Sequence, residues 1–284
     1  MISKTMEERI KNLNQDITLF TYENFIYIFI LSTIYILFRR YLYIYLQKLF
    51  INELANGNTI LRRVDPRIFS LKVLPCVRRT ISGIFLTLFA ASYLYKESWI
   101  FSPSEYCVAY KEIPLRIKLQ YYFEFTHYLV SVYFLIADPR SKDFIQMMFH
   151  HFLSLFLIIL SYKKNFLRYG VIVMFLHEIC DPILELGKIS SYFNYNQPKI
   201  FFLVSFSFVF AFFRFIFYPC FVVVPVFFYF YTFYFSGIIL CFGMLLFVLY
   251  LLNFIWMMYI GKMWVFYIKN GYVGEDSRSI IESK

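Results

Sequence analysis

The stretch FHHFLSLFLIILSY, Phe149 to Tyr162, decides the fold. It is apolar enough to sit in a bilayer, yet it places two of the chain's four histidines side by side. Burying a group that can charge costs free energy unless something offsets it, so intramembrane histidines are functional candidates by default. The composition supports that setting. Of 284 residues, 60% are hydrophobic and 24% aromatic, and the mean hydropathy is +0.60. These values indicate an all-α polytopic membrane protein and exclude a soluble domain. Thirty-eight Phe and 26 Tyr supply lipid-facing helix surface and ring anchors at the headgroups. A net charge of +10 would suggest nucleic acid on a soluble chain. Here the Lys and Arg lie mainly between apolar runs, where they orient helices, and no nucleic-acid partner is expected.

A bilayer core needs roughly 20 apolar residues per helix. On that basis seven spans are expected, at 24–46, 80–95, 119–137, 143–161, 166–186, 200–217 and 234–260. Arg39 and Arg40 either end the first span or snorkel to the interface. After the sixth, PCFVVVPVFFYF carries Pro219 and Pro225, which disfavour one continuous helix, so a re-entrant or interfacial connection is expected there. The opening MISKTMEERIKNLNQDITLF is polar and mixed in charge, which predicts no cleavable leader and a first span retained as an anchor. With the N-terminus outside, seventeen Lys and Arg fall on the cytosolic side and ten on the other, Arg214 set aside, so a cytosolic C-terminus is expected. The tail NGYVGEDSRSIIESK reads as flexible. Five scattered cysteines, with no CxxC pair, read as small buried hydrophobes rather than a disulfide framework or zinc site.

On this topology the fourth span starts at the cytosolic face and His150 lies roughly 10 Å deep at 1.5 Å per residue. The fifth span returns toward the same side through FLHEICDPILELGK, carrying His177, Glu178, Asp181 and Glu185. On a helix His177, Glu178 and Asp181 share a broad face, and Pro182 introduces a kink just after Asp181. Imidazoles and carboxylates thus meet at one depth. An imidazole takes a proton near neutral pH, and a carboxylate fixes its tautomer and stabilises the cation that forms. Adjacent histidines point about 100° apart on a helix, which favours divided roles for His150 and His151 over a shared metal ion. His127, mid-membrane in the third span, reads first as a structural hydrogen-bonding residue. Arg214 is an intramembrane cation that either pairs with a carboxylate or holds a substrate polar group. Glu185 and Lys188 read as interfacial.

These residues resemble the ceramide synthases of the TLC-domain (TRAM, Lag1, CLN8) superfamily. The resemblance starts at RSKDFIQMMFHHFLSLFLIILSY and continues through RYGVIVMFLHEICDPILELGKISSYFNY, which looks like the second half of the Lag1 motif. The segments FRFIFYPCFVV, LLFVLYLLNFIWMMYIGKM and GYVGEDSRS follow in the family's order, so about residues 95 to 280 are covered. The family implies a six-helix TLC-type bundle enclosing an intramembrane active-site cavity. The chain then divides into a segment 1–78 with the first span and a basic loop, a TLC domain 79–268, and a polar tail 269–284. The resemblance also implies an endoplasmic-reticulum enzyme that joins a fatty acyl-CoA to the amine of a sphingoid base, giving (dihydro)ceramide and free CoA. No cofactor or metal is implied, and a homo- or heterodimer is left open. The family's paired histidines fall on His150 and His151, and its later acidic pair on Glu178 and Asp181. Two positions depart from the pattern: the first acid is usually Asp, and Asn253 stands where many members carry His.

A sphingoid amine is largely ammonium at neutral pH and must lose a proton before attacking a thioester carbonyl. His150 therefore acts on this reading either as the base or as the acceptor of an acyl-imidazole. His151, His177 and the carboxylates orient it and carry protons, with Arg214, Asn253 and His127 in support. The basic run RRVDPRIFSLKVLPCVRR suits the phosphates of CoA, though helix orientation explains its charge equally well. Three other readings compete. A fatty-acid elongase needs an HxxHH box, and position 147 is Met. A non-enzymatic TLC protein that binds or senses lipid would not need clustered acids and imidazoles. A metal-dependent lipid hydrolase or hydroxylase would use His177 and Asp181 as ligands, but di-iron hydroxylases generally need more than four histidines.

Overall fold

The computed structural model describes residues 22–55, 65–138, 142–232 and 237–274. Among them the chain is helical with no strand: α1 (Tyr22–Ala55), α2 (Pro66–Leu94), α3 (Leu115–Ala137), α4 (Phe144–Lys163), α5 (Leu167–Glu178), α6 (Asp181–Tyr192), α7 (Asn196–Phe210), α8 (Val224–Thr232) and α9 (Gly237–Asn270). Five helical stretches are long and apolar enough to cross a membrane: Asn24–Glu53, Pro66–Leu94, Phe144–Lys163, Asn196–Tyr229 and Gly237–Asn270. The third and fifth expected spans are α3 and the broken pair α5 and α6. The protein is therefore an all-α, multi-pass membrane protein. The helices α2, α3, α4 and α9, then the helical continuation of α7 over residues 211–232, and α7 with α6 follow one another around a ring, with α5 against its inner side and α1 packed outside on α2 and α3.

Several details differ from expectation, each for a stated physical reason. Pro219 and Pro225 do not turn the chain. The helix of α7 continues through two π-helical segments, Ala211–Phe217 and Pro219–Val223, into α8. A π-helix shifts backbone bonding to the fifth residue along, and this wider winding accommodates a proline that lacks its N–H. The first span does not stop at Arg39, because Arg39 is ion-paired with Asp138 at the end of α3. Much of the basic run is not a loop: residues 66–79 form the first half of α2, with Pro66 at its first turn and Asp65 accepting a hydrogen bond from the Arg67 amide. His177 and Asp181 do not share one helix. The chain breaks at Ile179 and Cys180, and Pro182 sits in the first turn of α6. Cys76, Cys107 and Cys180 are buried, but Cys220 and Cys241 are exposed on the outer surface. The opening segment 1–21 and the tail 275–284 lie outside the described residues.

At the end of the bundle away from His150, Arg168 lies over the rings of Trp99 and Tyr110 and pairs with Glu105 at 3.2 Å. Asn165 adopts positive φ, as Asn tolerates, and holds Tyr110 through two backbone hydrogen bonds. Close packing here depends on one glycine. A Cβ at Gly170 would lie 1.8 Å from Tyr121 Oη and 2.9 Å from Ser161 Oγ, whereas one at Gly261 meets nothing within 4 Å. Tyr121 is itself fully buried and bonded to Ser161 at 3.0 Å. Gly170→Ala is therefore expected to cost about 1–3 kcal/mol, the range for an overpacked core. It should lower the unfolding midpoint in detergent, while Gly261→Ala leaves it within about 1 °C.

Candidate functional site

A cavity of about 240 Å³ enters the ring from the end where α2, α4 and α7 begin. Its mouth is basic, with Lys72, Arg78, Arg79, Lys188 and Lys199, against Asp138, Asp143 and Glu185. Its inner wall carries His127, Tyr128, His150, His151, Glu178, Asp181, Arg214 and Trp256. Residues from α3, α4, α6, α9 and the π-helical segment thus converge on one space, with Glu178 from the end of α5.

The break before Pro182 explains much of this convergence. Where regular winding stops, the His177 carbonyl is left to another partner, and it accepts a hydrogen bond from Arg214 Nη2. The same nitrogen pairs with Asp181 Oδ1 at 2.5 Å. The guanidinium is buried, whereas the Asp181 side chain is 43% exposed, since its other side faces the cavity. One arginine thus fixes both sides of the break. Gly83 lets α2 approach it: a Cβ there would lie 3.0 Å from Pro182 Cγ and 3.7 Å from Glu178 Oε2.

The histidines separate into two kinds. His177 Nδ1 lies 2.8 Å from the Val173 carbonyl, which can only accept, so this nitrogen carries the proton. Nε2 is then the acceptor, and Asn253 Nδ2 donates to it at 3.4 Å. His177 and Asn253 sit behind the cavity wall, and both ring nitrogens of His177 are engaged. His150 and His151 line the cavity, and neither Nδ1 has a hydrogen-bond partner. His150 is enclosed by Trp256 edge-on at 5.1 Å, Tyr128 at 6.0 Å and the His177 ring at 6.2 Å. His151 lies 5.5 Å from both Tyr128 and His150. Glu178 is buried and accepts from Tyr128 Oη at 3.4 Å. Tyr128 thereby touches both candidate histidines and one candidate acid.

His127 makes the hydrogen bond expected of it, to the Tyr35 hydroxyl at 3.3 Å, and also lines the cavity. Glu185, expected at the interface, lies at the cavity mouth. It is buried, with Arg79 Nε at 2.9 Å and Lys188 Nζ at 3.1 Å, two cations on one carboxylate. At the mouth, burial raises the Asp138 carboxyl above its ordinary range, and Arg39 opposes the shift. Among the described residues no group of three or more His, Cys, Asp or Glu side chains is placed to hold a metal ion. On the far side of the bundle, burial pushes the Cys107 thiol up to about 12, which removes it as a reactive thiolate.

Sequence reading did not single out Tyr128, Trp256, Arg78, Tyr35 or Glu124. Glu124 carried a signal: it is an acid inside an apolar span, four residues before Tyr128, and it is fully buried with Gln120 donating to it at 2.7 Å. Arg78 was visible only as part of a basic run. Tyr35 is one of 26 tyrosines, and nothing local marks it.

Removing the carboxylate from an ion pair whose cation is buried strands that cation, and the stranded charge is usually worse than losing both. Asp181→Asn is expected to lower the unfolding midpoint by leaving Arg214 uncompensated. The double variant Asp181→Asn with Arg214→Met should recover part of that loss, read by thermal unfolding in detergent.

Residues 72–262 match the TLC domain family. The chain is 32% identical over 198 residues to ceramide synthase 4 of Bos taurus, covering 66% of this chain and 49% of that protein. It is 32% identical over 140 residues to ceramide synthase 1 LOH3 of Arabidopsis thaliana, covering 46% of each. It is 30% identical over 140 residues to ceramide synthase hyl-1 of Caenorhabditis elegans, covering 48% of this chain and 38% of that protein. The chain spans about half the length of these curated relatives, 49% of ceramide synthase 4 and 46% of ceramide synthase 1 LOH3. With the family match extending over most of α2 through α9 and enclosing the cavity, the chain belongs to the TLC-domain family.

Proposed function

We propose that the protein joins a fatty acyl-CoA to the amine of a sphingoid base, releasing (dihydro)ceramide and CoA, with His150 as the reacting histidine. The observation that carries this reading is the contrast between histidines. His177 has both nitrogens engaged, while His150 and His151 present unpartnered Nδ1 atoms beside a cavity that begins at a basic mouth. The names of the curated relatives, all ceramide synthases, point the same way. The proposal places the protein in the endoplasmic-reticulum membrane with its C-terminus cytosolic.

The chemistry follows from the groups present. The amine nitrogen forms a bond to the thioester carbonyl carbon, the carbonyl electron pair moves to oxygen, and on its return the carbon–sulfur bond breaks. The proton lost by nitrogen passes through His150 to the departing thiolate, so amide and thiol balance thioester and amine. In a two-step version His150 first takes the acyl group and the amine then displaces it. Tyr128 and Glu178 hold the histidine pair in orientation, and the Arg214–Asp181 pair keeps the wall in place. The mouth cations, Lys72, Arg79, Lys188 and Lys199 among them, meet the CoA phosphates, which favour charged donors.

His150→Ala is expected to abolish N-acylation while the purified protein keeps its unfolding midpoint, and retained turnover would sink the assignment. Glu178→Asp should keep appreciable activity because Tyr128 still has a carboxylate to donate to, and Glu178→Ala should lose most of it. An equal loss in both would show that the extra methylene sets the site's geometry. Intact mass spectrometry with acyl-CoA alone separates the routes: a fatty-acyl adduct on His150 that disappears with a sphingoid base indicates two steps. Amide product without any adduct indicates direct attack, and neither adduct nor product overturns the enzymatic reading in favour of a lipid-binding TLC protein.

A further inference from the structure

Arg78 is a buried cation, 3% exposed, and it reaches the cavity wall with an unusual set of neighbours. Its guanidinium lies 4.8 Å over the Phe134 ring, and its Nη1 donates to Tyr35 Oη at 2.9 Å. Among the described residues no ion pair joins it to a carboxylate, and its Nε has no hydrogen-bond partner. Nearby cations are answered differently: Arg39 by Asp138, Arg79 and Lys188 by Glu185, Arg214 by Asp181. A buried charge with no ion pair of its own, and with Asp138 acting on it only from a distance while paired to Arg39, is costly, so its persistence at a cavity wall points to work done on whatever occupies the cavity.

The direction of that work follows from the hydrogen bonds. Tyr35 Oη accepts from Arg78, so its own proton is free to be donated. The neighbour in reach is His127 Nδ1 at 3.3 Å, with the two rings 5.9 Å apart. An imidazole that accepts at Nδ1 carries its proton on Nε2. His127 lines the same cavity as His150 and His151, and its ring lies edge-on to Tyr128 at 5.5 Å. Tyr128 in turn touches both of those histidines. Donors joined in series in a low-dielectric interior polarise one another, and a cation at the start of the series strengthens the donor at its end.

Resting on the acyl-transfer reading above, we propose that Arg78, Tyr35 and His127 form a polarised chain whose His127 Nε2–H donates to the carbonyl oxygen of the acyl thioester. As nitrogen attacks the carbonyl carbon and the electron pair moves to oxygen, that donor meets the growing negative charge. The pair returns when the carbon–sulfur bond breaks. His127 is the catalytic member, because it touches the reacting atom. Tyr35 and Arg78 are positioning residues that act through it. Tyr35 belongs to α1 and lies outside the residues matched by the TLC domain, so the site is completed by a helix from outside that domain.

The test reads kcat and KM for acyl-CoA and, separately, the carbonyl itself. His127→Phe is expected to lower kcat by roughly 100-fold or more, as for loss of an oxyanion donor, with little change in KM. His127→Gln, which can place an amide N–H in the cavity, should restore a measurable part of it. Tyr35→Phe keeps the ring and removes only the hydroxyl, so it should lower kcat about tenfold, consistent with one hydrogen bond of about 1.4 kcal/mol, with KM for acyl-CoA little changed. For the carbonyl, acyl-CoA labelled with 13C at the thioester is bound to the non-reacting His150→Ala protein and its stretch recorded by infrared difference spectroscopy. A shift to lower frequency relative to water that disappears when His127→Phe or Tyr35→Phe is added supports the proposal. Unchanged kcat in both variants, or the same carbonyl frequency with and without them, overturns it even where the unaltered protein makes amide. If the unaltered protein makes no amide, the acyl-transfer reading fails instead, and the carbonyl shift still reports whether His127 meets a thioester. Absence of any bound carbonyl signal overturns the donor proposal, and the acyl-transfer reading falls with it only where the unaltered protein also makes no amide.

Discussion

The structure depends on one constraint: ionisable groups inside a bilayer need partners, and the backbone must be satisfied there as well. The Arg214 guanidinium meets both demands at once. It binds the carbonyl exposed where α5 stops and the carboxylate with which α6 starts. Without the break at Pro182, Asp181 and His177 would lie on a regular helix and that carbonyl would be occupied. Without Arg214, the break would leave a bare backbone acceptor and an unpaired acid at membrane depth. The π-helical winding that carries Arg214 belongs to the same arrangement, since it keeps α7 and α8 one helix past Pro219 while changing the direction in which side chains point.

That arrangement divides labour among the histidines by hydrogen bonding alone. A backbone carbonyl and an asparagine amide hold His177 in one tautomer, so it acts as a wall against which His150 stacks. His150 and His151 keep unpartnered nitrogens, and aromatic edges from Tyr128 and Trp256 restrict them without consuming those nitrogens. Steric restraint with free lone pairs is what a base or nucleophile requires. Asn253 fits this account directly. It needs only to donate to the unprotonated Nε2 of His177, which its amide N–H does.

The architecture was largely legible because it is carried by length and apolarity, and a bilayer imposes both. The histidine pair and the cluster of His177, Glu178 and Asp181 were legible because polar residues are conspicuous in apolar runs. What escaped was decided by partners far away in sequence. Pro219 and Pro225 look like breakers until the helix rewinds around them. Glu185 looks interfacial because its counter-ion, Arg79, lies 106 residues earlier on another helix. Arg78 and Arg79 vanish into a positive run whose charge orientation alone explains, and only packing shows that one is paired with a carboxylate and the other is not. Tyr35 could not be found at all, since a single hydroxyl among 26 tyrosines becomes informative only with its two neighbours in place.

The distribution of charge around the cavity follows a depth order. At the mouth, where water screens charge, cations are in excess and suit a polyanionic group. Deeper in, Arg214 is compensated by Asp181 inside the wall, so it adds little field where a fatty chain must pass. Arg78 departs from that order. An ion-paired Arg78 would add little field, whereas one outside ion-pair distance of any carboxylate among the described residues projects its field through Tyr35 and His127 toward the space between Tyr128 and the histidine pair. Such a field costs stability in the empty protein and repays it when negative charge develops there, which is the condition under which electrostatic preorganisation lowers a barrier rather than merely tightening ground-state binding.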